Sequence, residues 1–139
     1  MIKKSKLIDC FVCDDVRQEI SGKTTFIGVY GTDVVVPIVP FMMPGIYIVS
    51  KWDISTGSFN DVTFRLETPD KNQLGPIKTT APKDVKGTKL MMHLGLIPFQ
   101  IQVAGVYKVY IKIDEEPEKT ITEFEIKLAA PMPPINSQN

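Results

Sequence analysis

Apolar and polar side chains alternate with a period of two along several stretches of the chain. In Val62-Thr63-Phe64-Arg65-Leu66-Glu67, the residues Val62, Phe64 and Leu66 fall on one side and polar groups on the other. Tyr107, Val109, Ile111 and Ile113 repeat the pattern around Lys108, Tyr110 and Lys112, and Glu123-Phe124-Glu125-Ile126-Lys127-Leu128 sets large apolar groups against charge. Successive side chains of a strand point to opposite faces. These segments therefore read as strands with one face on a core and the other in water, the pattern of antiparallel sheets. No stretch sustains the i, i+3, i+4, i+7 spacing of an amphipathic helix.

Less regular strands are expected over residues 7–13, 24–30, 33–36, 45–52, 90–94 and 99–103. Residues 69–87 mix Pro, Gly, Asp, Asn and Lys and read mainly as loop, with a short strand near 77–80. The total of about eight to nine short strands separated by turn residues matches a sandwich or barrel. Without helical inserts between the strands, a parallel α/β sheet is disfavoured. Residues 1–128 are expected to form a single β-sandwich domain, followed by a Pro-rich, flexible tail over 129–139. No internal repeat is visible.

Composition narrows the function classes. The 139 residues carry 16 Lys+Arg and 16 Asp+Glu, so there is no net charge to favour nucleic acid or an anionic membrane. Arg17 and Arg65 are the only arginines, which leaves little for bidentate recognition of phosphate. The basic start, Lys3-Lys4-Ser5-Lys6, is followed too soon by Asp9 and Asp14-Asp15 for a signal peptide. A cytoplasmic setting with reduced cysteines is the expectation.

Candidate chemistry is sparse. Cys10 and Cys13 form a C-x-x-C, but strand alternation places them on opposite faces, Cys10 with Ile8 and Val12 and Cys13 with Phe11. A zinc site would need two further ligands, and His93 is the only histidine. Buried, inert thiols are the expectation. The densest charged cluster, Asp14-Asp15-Val16-Arg17-Gln18-Glu19, is expected in the connection between the first two strands. There Asp14, Asp15, Arg17 and Glu19 are candidates for binding a small ligand or metal, although no D-x-D-x-D-G calcium loop is present. The segment from Val36 to Pro44 is apolar yet broken by Pro37, Pro40 and Pro44, so it cannot be an interior strand. Phe41, Met42 and Met43 within it are the candidates for an adaptable protein-binding patch. Trp52 is expected in the core and His93 on a solvated or edge position. No nucleophile elbow, H-E-x-x-H, P-loop or G-x-G-x-x-G occurs. No enzyme, cofactor or metal is therefore expected.

Two resemblances add to this reading. Ala104-Gly105-Val106-Tyr107-Lys108-Val109 is similar to the entry of the penultimate strand in immunoglobulin-like sandwiches, where a tyrosine bonds back to upstream backbone. No cysteines stand where antibody domains place their disulfide. Cys13 to Glu19, Gly22-Lys23, Ile27-Gly28-Val29-Tyr30-Gly31 and Val34-Val35-Val36-Pro37 resemble the opening of an uncharacterised family of small bacterial proteins. That resemblance implies a bacterial or phage origin and a cytoplasmic sandwich, and it nominates no catalytic residue. The combined expectation is an all-β, immunoglobulin-like antiparallel β-sandwich acting as a non-catalytic binding module. Its partner would be a protein, reached through loops or a sheet edge, with no nucleic acid and no membrane involved. A ligand- or metal-binding sandwich and a homo-oligomeric structural protein are the alternatives.

Overall fold

The computed structural model describes residues 5–31, 33–82 and 87–130. Eleven strands are formed: β1 (Lys6–Gln18), β2 (Thr24–Val29), β3 (Asp33–Val36), β4 (Phe41–Met43), β5 (Ile46–Asp53), β6 (Asp61–Glu67), β7 (Gln73–Thr80), β8 (Lys89–Leu96), β9 (Phe99–Ile101), β10 (Gly105–Ile113) and β11 (Lys119–Leu128). They make a four-stranded sheet in the order β2-β1-β5-β8 and a five-stranded sheet in the order β3-β11-β10-β6-β7. Among the described residues, β4 and β9 pair only with each other. All pairings are antiparallel except β3 with β11.

The protein is thus all-β and sandwich-like, with the two main sheets sharing one apolar cluster. Ile46, Ile48 and Trp52 of β5 and Leu90 and Met92 of β8 meet Val62, Phe64 and Leu66 of β6, Tyr107, Val109 and Ile111 of β10, and Phe124 and Ile126 of β11. Trp52 is fully buried and packs edge-on against Phe59 at 5.4 Å between ring centres. Its indole N–H donates to Ser50 Oγ at 2.9 Å, so the buried Ser50 hydroxyl is partnered.

Four local expectations change. The Asp14–Glu19 cluster is not a connection: β1 runs on to Gln18, which pairs with Thr24, and the turn lies at 19–23. The cluster is held in strand because β2 pairs with Cys13 and with Asp15 to Gln18 on that side. Residues 73–80 form a full strand on β6 where mostly loop was expected, because a partner strand outweighs weak β propensity. A register shift between Leu7 and Asp9 turns Leu7 rather than Ile8 toward the core, leaving Ile8 47% exposed beside the core-facing Cys10 and Val12. Phe41–Met43 do form a short strand, one confined to the separate ribbon with β9. The tail expected over 129–139 falls outside the described residues from 131 onward.

Candidate functional site

Alternation within β4 divides the proline-broken segment. Met43 is buried and Phe41 packs against the core from a half-buried position, opposite Phe99 and Ile101 respectively. Met42, opposite Gln100, points out and is 50% exposed. It lines a groove of about 490 Å3 together with Leu74 and Ile77 of β7 and Ile97, Pro98 and Phe99 around the turn from β8 to β9. Ile97 is 63% exposed and Leu74 40% exposed. The structure therefore keeps Met42 as a surface residue and assigns Phe41 and Met43 to packing. Sequence reasoning missed Leu74 and Ile97. An isoleucine set between two strands at a Pro-containing turn was the available signal for Ile97, whereas Leu74 lay in a segment whose polar composition hid its strand.

The residues Asp14, Asp15, Arg17 and Glu19 have close-range partners of their own. Asp15 accepts from Arg17 Nε at 3.0 Å and from the Val16 N–H at 2.9 Å. Glu19 accepts from Thr25 Oγ1 at 3.0 Å. Asp14 accepts a short hydrogen bond from the Tyr30 hydroxyl. Burial, then the bond to Asp14 and its charge, push the Tyr30 hydroxyl above its ordinary range, so it stays a donor. The Asp14 carboxylate occupies the space over Gly28, which adopts a left-handed φ of 68° and has no Cβ to collide with it. Asp14 and Asp15 also line a shallow cavity of about 310 Å3 with Pro44, Gly45, Tyr47 and Ile97. Among the described residues, no three His, Cys, Asp or Glu side chains gather closely enough to hold a metal.

A cavity of about 570 Å3 lies on the outer face of the five-stranded sheet and was not anticipated. Asp61, Thr63, Lys78, Thr80, Lys112 and Asp114 line it. Its Asp114 carboxylate is committed to the backbone, accepting from the N–H groups of Asn60 at 3.1 Å and Asp61 at 2.8 Å. Beside it, Arg65 donates to both oxygens of Glu118 at 2.5 and 3.1 Å and lies 4.0 Å over the Tyr110 ring. The Glu118 carboxyl is held below the usual range, first by its hydrogen bonds from Arg65.

The two thiols of the C-x-x-C lie on opposite faces of β1. Cys13 is completely buried and Cys10 is partly buried against the core, and their neighbours in register, Tyr47 and Ser50, belong to opposite faces of β5. Burial pushes the Cys10 thiol up to about 12, with Asp9 adding to the effect. Burial is also the main cause that raises Cys13. His93 is exposed on the face of β8 opposite Leu90 and Met92, near the Tyr47 ring. Tyr107 does bond back to upstream backbone: its hydroxyl donates to the Val103 carbonyl at 2.6 Å.

Comparison with known proteins gives a sequence family and a distant structural likeness. No curated protein matches the chain. Its fold is similar, with a TM-score of 0.38 and 10% identity, to part of a β-glucosidase from Listeria innocua solved in complex with isofagomine. That likeness covers 88% of this chain and 16% of the glucosidase chain. A model of a family of unknown function, DUF6941, matches residues 9–126, from the middle of β1 to near the end of β11. The chain belongs to that family.

Proposed function

We propose that the chain is a non-catalytic binding module that engages a protein partner through the groove beside Met42. The observation that carries this reading is the groove's composition. Met42, Leu74 and Ile97 are all well exposed and line one concave groove whose lining includes no carboxylate. Exposed apolar surface that is concave and contiguous is where partners dock, and methionine adapts to more than one shape. The balanced charge favours a protein over nucleic acid or an anionic membrane. A bacterial or phage origin and a cytoplasmic setting complete the proposal.

The scaffold in this reading is immunoglobulin-like. Supporting it, β11-β10-β6-β7 follow the order G-F-C-C′ and β1-β5-β8 follow A-B-E, with Tyr107 near the start of the strand equivalent to F. The additions are β2 outside β1, β3 alongside β11 and the separate β4–β9 ribbon.

The test is affinity capture from the native host with wild-type protein, Met42→Asp and Ile97→Asp as baits. Both side chains are exposed, so melting temperatures should stay within about 2 °C of wild type. Proteins retained by the wild type should be lost from both variants. Retention of the same proteins by both variants would remove the groove as the binding site.

A further inference from the structure

The two main sheets end in four outer strands, β2 and β8 in one and β3 and β7 in the other. An outer strand offers unpaired N–H and C=O groups to any other chain, and proteins blunt such edges with prolines, bulges, short strands or charge. Three of the four edges carry such a device. In β7, Pro76 lacks an N–H, Gly75 has a left-handed φ of 102°, and the pairing to β6 shifts register at that point. In β2, Gly28 at φ 68° interrupts the extended backbone. The strand β3 has only four residues.

The strand β8 has no proline, no bulge and full length, and its one lysine, Lys89, stands at its first position. All eight residues from Lys89 to Leu96 pair with β5 in one unbroken register, and among the described residues β8 is hydrogen-bonded in a ladder to β5 alone. Eight residues extend about 26 Å, and they include no proline and no carboxylate. Leu94 and Leu96 point toward the core yet remain only half-buried, and Met91 on the other face is 37% exposed. Along this edge runs a groove of about 380 Å3 that leaves Phe64, Ile77, Met92 and Leu94 reachable between β7 and β8. If the immunoglobulin-like reading holds, β8 is strand E and its open side is where strand D would pair.

We propose that this edge is completed by β8 of a second copy, giving a twofold dimer with one continuous eight-stranded sheet. The strand is its own complement. Opposed residues in an antiparallel pair point to the same face, so the twofold axis must pass beside a residue that faces itself. Centring the pair on Met92 or on His93 keeps Leu90, Met92 and Leu94 of both copies on the core side. In either register Lys89 avoids Lys89 of the other copy, so no like charges meet. A closed twofold contact is also the commonest way for a chain to pair with itself. The proposal is separable from the Met42 groove, since it requires only the purified chain.

Sedimentation velocity on the full chain from micromolar to millimolar concentration tests it. The expected result is a monomer–dimer equilibrium that the double variant Met91→Lys/His93→Lys abolishes, with circular dichroism unchanged. That pair of substitutions places lysine against lysine across the axis in both registers. Hydrogen exchange on the wild type provides a check that does not depend on the variant folding: amides of β8 should gain protection with concentration, and those of β2 and β7 should not. A monomer at every concentration, a dimer that survives the double variant, or protection at a different edge would overturn the proposal. Open-ended growth into larger species would overturn it too, because a twofold contact closes.

Discussion

On the outside of the five-stranded sheet, Arg65 reaches Glu118 and covers Tyr110, and Thr63, Lys78 and Lys112 stand in water around an open cavity. On the outside of the four-stranded sheet, Val49 and Cys13 are as inaccessible as residues between the sheets. Val49 lies in register between Phe11 on β1 and His93 on β8, and Cys13 lies beside Tyr47. The Tyr47 ring leans over Gly95, where an added Cβ would stand 2.8 Å from the ring, so the glycine on the outer strand is covered from across the pair. One sheet therefore has a single dry face, and the other adds a dry patch around Val49 and Cys13 on a second face where Met91 and His93 stay exposed.

The largest test of that contrast is a matched pair of substitutions. Val49→Asp puts a carboxylate into a fully buried position with no cation beside it in register. It should cost about 3–4 kcal/mol, or leave the chain unfolded. Thr63→Asp, at the corresponding outer position of the other sheet and close to Lys78 and Lys112, should change stability by about 0.5 kcal/mol or less. Urea melts of the two variants read the difference directly. Equal costs would mean that the two outer faces are not different in kind.

A smaller effect should appear when the wet face loses its organised ion pair. Arg65→Ala removes two hydrogen bonds to Glu118 and the stack on Tyr110. Because the Glu118 side chain is 37% exposed, solvent screens the pair, and a loss of about 1 kcal/mol is expected. The pH dependence has a definite sign. Glu118 is held below its ordinary value near 4.5, so the pair's contribution is complete above that pH and disappears as the pH falls through the lowered value. Asp53, held at about 2 by Ser55 and Lys89, acts in the same direction. Denaturant melts between pH 7 and pH 2 should show the wild type losing more stability than Arg65→Ala, and the two should converge in acid. Parallel curves would remove the ion pair as the cause.

The same contrast explains which parts of the fold could be read from sequence. The three cleanly alternating segments are β6, β10 and β11, the neighbouring interior strands of the five-stranded sheet. Their outer side chains are polar because that face is wet, so the period of two survives in the sequence. In β5 the stretch Ile46 to Val49 is apolar on both sides, and the alternation disappears there although the strand is central. The strand β7 was hidden differently: Gly75, Pro76 and neutral polar residues mark a loop by composition, and only the partner β6 makes them a strand. For the binding groove, Met42 was legible as part of an apolar segment that prolines keep out of the sheets. Its separation from Phe41 and Met43 was not, because that depends on the ribbon with β9. The acidic cluster misled because charge density marks exposure equally in a loop and in the solvated part of a strand.

The smallest effect expected concerns the two thiols, which sample the two faces of the four-stranded sheet. Cys10 borders the core between the sheets and Cys13 lies on the outer face. If that outer face were ordinary solvated surface, Cys13 would react with iodoacetamide at pH 8 while Cys10 stayed protected. With Cys13 inside the dry patch of that face, neither should be alkylated in the native state, and both should react at once in urea. Burial raises both thiols, and the consequence for stability runs in one direction. An unfolded thiol titrates near its ordinary value of 9.0, whereas Cys10 in the fold holds its proton to about 12. The unfolded chain therefore loses protons first as the pH rises, and the contribution present below pH 9 declines above it. Cys10→Ala should flatten the alkaline limb of the stability profile. Rapid native labelling of Cys13 alone would show the outer face opening independently of the core, and the two sheets would then differ in degree only.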